Sequence, residues 1–277
     1  VPFLIMGVVN VTPDSFSDGG LHLDADKAVE TALRLTDERA DLIDLGAEST
    51  RPGSLPVQVD DEWRRLEPVL ERLAKRTLGA RLSVDTRKSE IMLRAAAMGV
   101  RFINDSSGTA DGRRPPDSAN AGPDDDALRA LAARADLDYC AMHMHGTPAT
   151  MQLDPLRGPE AVRAVDAFFT ATRARLARAG FGPDRLWFDP GIGFGKGDAG
   201  NLALLAAIPR WAKAGQIAIG VSRKGFIGRA LGIETPQDRD GPTKMLELGL
   251  SIAGARLIRT HDVTRLARLR TLLAGGG

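Results

Sequence analysis

The sequence predicts a single-domain α/β protein spanning residues 1–277, a strand–helix unit repeated eight times and closed into a (β/α)8 TIM barrel. Three observations predict it. Short apolar runs alternate eight times with longer stretches of helical spacing. The length, 277 residues, suits that many units. Polar and charged residues stand at the C-terminal ends of the apolar runs, where barrels of this kind place their chemistry. A doubly wound sheet is the alternative, but it seldom needs eight regular units.

Each element has its own warrant. Residues 3–10 (FLIMGVVN) form an apolar run that stops at the turn-rich TPDSFSDGG. Residues 24–40 show helical spacing of Ala28, Leu33 and Leu35, with Asp24 as the expected N-cap. Residues 41–48 (DLIDLGAE) give the second strand, followed by the loop STRPGS. In residues 60–76, Trp63, Leu66, Val69, Leu70 and Leu73 line one helical face. RLSVDT (81–86) is the third strand, 88–98 the third helix with Gly99 at its end, and 100–105 the fourth strand.

Residues 109–126 break the rhythm, having no large apolar residue, and are expected to be a mobile insertion. A helix over 127–135 and a strand over 138–145 resume it. A long helix over 159–179 ends at Gly180, and the sixth strand covers 185–189 with its helix at 201–212. The seventh strand covers 216–224, and two helices at 225–231 and 243–252 follow it. The eighth strand is 255–261, and 263–273 closes the chain as a helix.

Composition excludes several classes. Lys and Arg number 37 against 36 Asp and Glu, so a nucleic-acid binder, which needs a basic excess, is not expected. Cys140 is the single cysteine, which excludes an internal disulfide and points to a reducing compartment. No apolar run is long enough to span a bilayer, and Val1 leads at once into a strand-like run rather than a secretion leader. A soluble, cytoplasmic protein is expected.

The stretch LWFDPGIGFGKG (186–197) is where the chemistry is most legible. A bulky strand ends at Asp189, and Pro190 with four alternating glycines then permits close approach of backbone to a ligand. The other strand ends carry Asn10, Glu48, Asp85, Asn104, Asp105, His143, His145, Ser222, Lys224, Arg259 and His261. Singly, each has a bland reading: Asp85 a helix cap, Lys224 a surface cation, Arg259 an ion-pair partner. Together, at matching ends, they define a cavity with two poles. Asp85, Asn104, Asp189 and Lys224 suit a flat heterocycle with an N–H/NH2 edge. Asn10, Thr50, Arg51, Arg259 and His261 suit an anionic group such as pyrophosphate. His143 and His145 raise the question of a metal, but too few further ligands accompany them, and they read better as strand-end polar groups.

The motifs IMGVVNVTPDSFSDGG, DLIDLGAESTRPGS, SVDTRK, IND, MHMHGTPATMQ, FDPGIGFGK, GVSRKGFIG and RTHDV, in this order over nearly the whole chain, closely resemble the dihydropteroate synthase family. The resemblance implies the (β/α)8 barrel and the condensation of 6-hydroxymethyl-7,8-dihydropterin pyrophosphate with p-aminobenzoate. It implies that Asp85, Asn104, Asp189 and Lys224 hold the pterin, with Phe194 and a methionine of 142–144 lining the slot. Asn10 would help hold Mg2+ on the pyrophosphate, which Thr50, Arg51, Arg259 and His261 would bind. Phe16, Pro52 and Ser222 would border p-aminobenzoate. Catalysis is expected to rest on Asp85, Lys224, Arg259 and His261, sulfonamides are expected inhibitors, and a homodimer is the expected assembly. Two rivals are a corrinoid-dependent pterin methyltransferase on the same barrel and a non-catalytic pterin-binding paralogue.

Overall fold

A computed structural model describes residues 3–12, 20–51, 53–112 and 122–275. Phe16 and Pro52 lie outside the described residues, as does the centre of the 109–126 stretch.

The strands, in chain order, are β1 (Leu4–Asn10), β2 (Leu42–Gly46), β3 (Arg81–Thr86) and β4 (Phe102–Asp105). They continue as β5 (Asp138–Met142), β6 (Leu186–Asp189), β7 (Gln216–Gly220) and β8 (Leu257–Thr260). Each pairs in parallel with the next, and β8 closes on β1. Around them lie α1 (Gly20–Asp37), α2 (Val59–Ala74), α3 (Ser89–Ala97), α4 (Asp125–Ala132) and α5 (Gly158–Ala179). The ring is completed by α6 (Asp198–Ala212), α7 (Gly225–Leu231), α8 (Asp240–Ile252) and α9 (Val263–Leu273).

Strand alternation divides the apolar side chains into two cores. Ile5, Val9, Ile43, Leu45, Val84, Ile103, Tyr139, Phe188, Ile219 and Ile258 face outward and pack under the helices. Met6, Leu42, Phe102, Cys140, Trp187, Ala218 and Leu257 face inward and plug the barrel. The predicted face of α2 is the buried one: Leu66, Val69, Leu70 and Leu73 are inside, and Trp63 packs at the edge. Gly180 ends α5 in the left-handed region at φ 105°.

The element order follows the sequence pattern, and the boundaries move inward. The runs 41–48, 138–145, 216–224 and 255–261 shorten to β2, β5, β7 and β8, because their last residues leave the ladder to build loops over the mouth. Helix α1 begins at Gly20, so Asp24 lies within it rather than capping it. The 109–126 stretch is anchored at both ends. Arg175 of α5 donates to the carbonyls of Thr109 (3.3 Å), Ala110 (3.4 Å) and Pro123 (2.8 Å) and to the Asp125 carboxylate (2.8 Å). Asp124 caps α4 through the Ala127 N–H at 2.8 Å, so Asp125 and Asp126 are helical and not part of a loop.

Candidate active site

The glycine loop after β6 is locked in place before any ligand enters. Gly191, Gly193 and Gly195 all have positive φ. A Cβ at Gly191 would stand 1.9 Å from the His143 carbonyl oxygen, so only glycine fits this close pass. Lys196, fully within the protein, donates from Nζ to the carbonyls of His143 and Gly191, each at 2.9 Å. Burial pushes its ammonium well below the usual lysine range. The loop is thereby clamped to the end of β5. Its own N–H at Gly191 donates to Asp189 Oδ1 at 2.7 Å. Burial raises the Asp189 carboxyl above its ordinary range, against the pull of that N–H and of Lys224, Lys196 and Arg259.

The strand expected over 216–224 stops at Gly220, so Ser222 and Lys224 reach the mouth from the turn after β7. They sit in a turn that forces Arg223 to φ 58°. That turn is braced by the start of α8 and the residue before it: Arg223 grips Asp240 with two bonds of 2.7 and 2.8 Å, and Arg239 donates to the Arg223 carbonyl at 3.0 Å. Lys224 then lies over Phe194, its Nζ 4.1 Å from the ring centroid, and donates to the Ile192 carbonyl. Burial lowers its pKa to about 8, with Asp189 opposing the fall.

Ser222 Oγ accepts the His261 backbone N–H at 3.2 Å and shares a 3.0 Å hydrogen bond with His261 Nδ1. Burial, then the neighbouring Arg259 and Arg223 cations, push His261 down to about 4. His261 is therefore a neutral hydrogen-bonding group near neutral pH.

The acidic side of the mouth is organised by a residue the sequence reading passed over. Asp44, wholly buried on β2, accepts from Ser83 Oγ (2.5 Å), Asn104 Nδ2 (3.0 Å) and Arg259 Nε (2.7 Å). Arg259 reaches on to Asp85 Oδ2 at 3.0 Å. It thus links the two predicted poles. Burial raises Asp85 to about 6, with Arg259 pulling down and Asp44 pushing up. Asp85 Oδ1 is buried without a hydrogen-bond partner. The signal for Asp44 was present: in LIDLG the alternation puts Leu42, Asp44 and Gly46 on one side, an acid within a buried strand.

Glu48 shows the opposite outcome. It turns away from the mouth to Arg87 (2.7 Å), Lys88 (2.9 Å) and the Val57 N–H (2.9 Å). Burial alone would raise its pKa, but Arg87 and Lys88 hold it below its ordinary range. Lys88 also bonds Glu62 at 2.5 Å, so a buried ionic chain anchors the loop after β2. That loop bonds past β3 and β4 to the β5 loop, through Gly53 N–H to the Pro148 carbonyl at 2.9 Å.

The remaining predicted residues stand on the rim. Asn10 and Arg51 are exposed and Thr50 is half-buried. Among the described residues, no hydrogen bond ties their side chains to the Asp44 cluster. Asn10 pairs in register with Gly46, whose strand partner is Asp85, so its amide is next to the acidic side. No group of three His, Cys, Asp or Glu side chains among the described residues could hold a metal by itself. The exposed amide oxygen of Asn10 would suit Mg2+ that takes its other ligands from a bound anion and water. His143 is turned outward, edge-on to Phe168 of α5 at 5.2 Å between centroids. Met142, Met144 and Met151 are buried, and Met142 pairs with Asp189.

These features define a barrel enzyme whose mouth gathers the buried Asp44, Asn104 and Asp189 and the half-buried Asp85 with the cations Lys224 and Arg259. Comparison with known proteins carries that class to a family. The sequence profile of the pterin binding enzymes matches residues 6–261. Dihydropteroate synthase of Neisseria meningitidis serogroup B is 39% identical over 269 residues, covering 95% of this chain and 89% of that one. Two crystal structures of the Xanthomonas albilineans dihydropteroate synthase superpose on 99% of this chain and 92% of theirs. The one with 4-aminobenzoic acid has a TM-score of 0.84 at 40% identity. The one with 7,8-dihydropteroate has a TM-score of 0.79 at 34% identity. The chain belongs to the pterin-binding enzyme family, with the dihydropteroate synthases as its relatives.

Proposed function

We propose that this chain condenses 6-hydroxymethyl-7,8-dihydropterin pyrophosphate with p-aminobenzoate, giving 7,8-dihydropteroate and pyrophosphate for folate synthesis. One observation carries the reading: Asp85, Asn104 and Asp189 offer acceptors around one barrel mouth, with Lys224 and Arg259 as its donors. Asp85, Asn104, Asp189 and Lys224 hold the pterin, and Phe194 with Met142 or Met144 lines its slot. Thr50, Arg51, Arg259 and His261 bind the pyrophosphate, His261 as a neutral hydrogen-bonding group. Ser222 borders p-aminobenzoate.

The C–O bond to pyrophosphate breaks and its electron pair leaves with the anion. The ring-stabilised cation that remains lies against the Asp85 carboxylate, and Arg259 meets the charge of the leaving group. Mg2+ at Asn10, bound with the pyrophosphate, would supply further neutralisation of that anion. The arylamine nitrogen then forms the C–N bond and gives up a proton to the released pyrophosphate or to solvent. It is nucleophilic at neutral pH, so a strong base is not required. The β2 loop, held to Pro148, keeps water from trapping the cation first.

A second copy of the chain covers Leu202, Leu231, Met245 and Ile252, which stand exposed on α6, α7 and α8. The free Cys140 supports a cytoplasmic setting, and no helix among the described residues is long and apolar enough to cross a membrane. Product formation from the two substrates, measured with and without a sulfonamide, tests the activity. Turnover that falls competitively with p-aminobenzoate is expected. Methyl transfer to a corrinoid protein without dihydropteroate would overturn the assignment. Sedimentation at a mass near 29.6 kDa would overturn the dimer.

A further inference from the structure

Asp44 occupies the barrel interior one inward-facing step below the mouth, in register with Ser83 and two residues before Gly46, which pairs with Asp85. Directly beneath it the interior is apolar, with Met6, Leu42, Phe102, Trp187 and Leu257. An apolar side chain here would extend that plug, but it would strip Ser83, Asn104 and Arg259 of a buried acceptor. What the carboxylate does is read from those partners.

A carboxylate only accepts hydrogen bonds. Asn104 must therefore turn its NH2 inward to Asp44, because the reversed amide would set oxygen against oxygen. The carbonyl oxygen of Asn104 is what remains for a ligand. Arg259 is held at Nε by Asp44 and at a terminal nitrogen by Asp85, and two contacts fix the plane of a guanidinium. Asp85 Oδ1 is left as a second acceptor. Asp189, whose other oxygen is taken by Gly191, contributes the third.

We propose that Asp44 is a positioning residue of the pterin site: it orients Asn104 and Arg259 so that the mouth meets an N–H edge and rejects a carbonyl edge. The proposal rests on the pterin reading of the site and adds the residue that sets its polarity. It also has a titration consequence. Asp85 faces Asp44 on β2, Arg259 on β8, Lys224 after β7, Cys140 on β5 and, further off, Glu62 on α2. Removing the Asp44 charge takes away a like neighbour and frees Arg259 for Asp85 alone, so the Asp85 carboxyl ionises at lower pH.

The test uses Asp44→Asn and Asp44→Leu, with Ser83→Ala as a comparison that removes one Asp44 partner but keeps Asn104 and Arg259 in place. Affinity for 6-hydroxymethylpterin is measured by calorimetry, turnover as a function of pH, and unfolding by urea. Both Asp44 variants are expected to bind the pterin at least about tenfold more weakly and to lose on the order of 10²-fold in kcat/KM, as misplaced groups do. In Asp44→Asn the acid limb of kcat/KM moves to lower pH. Ser83→Ala keeps pterin affinity and an unshifted limb. Unchanged pterin affinity in Asp44→Leu, or an unshifted limb in a folded Asp44→Asn, overturns the proposal. So does a loss of affinity in all three variants that follows their loss of stability. Crystal structures of the wild type and a folded Asp44 variant test the positioning without a ligand. Arg259 swung onto Asp85 is expected, and an unmoved Arg259 refutes the proposal even if the wild type binds no pterin and makes no dihydropteroate. That last result would sink the functional reading separately.

Discussion

Asp85→Asn is expected to make the protein more stable at neutral and alkaline pH while it abolishes most activity. Asp85 ionises at about 6 in the folded chain, against an ordinary value of 3.8. Burial is the main cause, and the side chain is only 14% exposed, so solvent screening removes little of it. A raised carboxyl means that the native state holds its proton more tightly than the unfolded chain. Its contribution is favourable below the unfolded value and is lost as pH rises through the window from 3.8 to about 6. Roughly 2 units at 1.36 kcal/mol each make the ionised side chain cost about 3 kcal/mol above that window. Asparagine has the same shape and never ionises. Part of the cost is already present at about pH 5, so the advantage of the variant grows by about 1.4 kcal/mol between about pH 5 and about pH 8. For a chain of this size that is about 3–5 °C in Tm. Urea unfolding of both proteins across this range measures the difference directly, and any fixed offset from the substitution cancels. An advantage that stays flat or shrinks as pH rises would show that Asp85 is not held against its charge.

Three further outcomes are expected. Gly191→Ala should destabilise by more than the roughly 1–2 kcal/mol that a left-handed alanine costs, because its methyl would meet the His143 carbonyl; a urea midpoint within error of wild type would contradict the packing described for that loop. Lys224 loses its proton near pH 8, so pterin affinity should fall through that region, and Lys224→Ala should bind weakly at all pH values; a calorimetric titration showing a level profile in the wild type would remove Lys224 from the pterin contacts. Glu62→Ala strips a partner from buried Lys88 and Thr86 and should cost about 3 kcal/mol, with looser attachment of the β2 loop. Proteolysis within residues 49–57 at the wild-type rate would argue against that coupling.

The sequence by itself determined the class of fold, the order of its elements and most of the polar residues around the mouth. Apolar alternation and helical spacing are local properties, so β3, α7 and α9 could be bounded to the residue. Strand ends are another matter, since a run of apolar residues continues after its partner strand has stopped. That is why Ser222 and Lys224 come from a turn with a left-handed Arg223, and why Glu48 leaves the cavity for Arg87 and Lys88. Only the closed barrel decided which charges meet. Arg259 and Asp44 are 215 residues apart in the chain, and no spacing rule brings them together. The same closure buried His261 beside two arginines and made it neutral, and it left Asp85 with an ionisation near 6. Charge states and amide orientations depend on what surrounds a side chain in space, and that is settled when β8 pairs with β1.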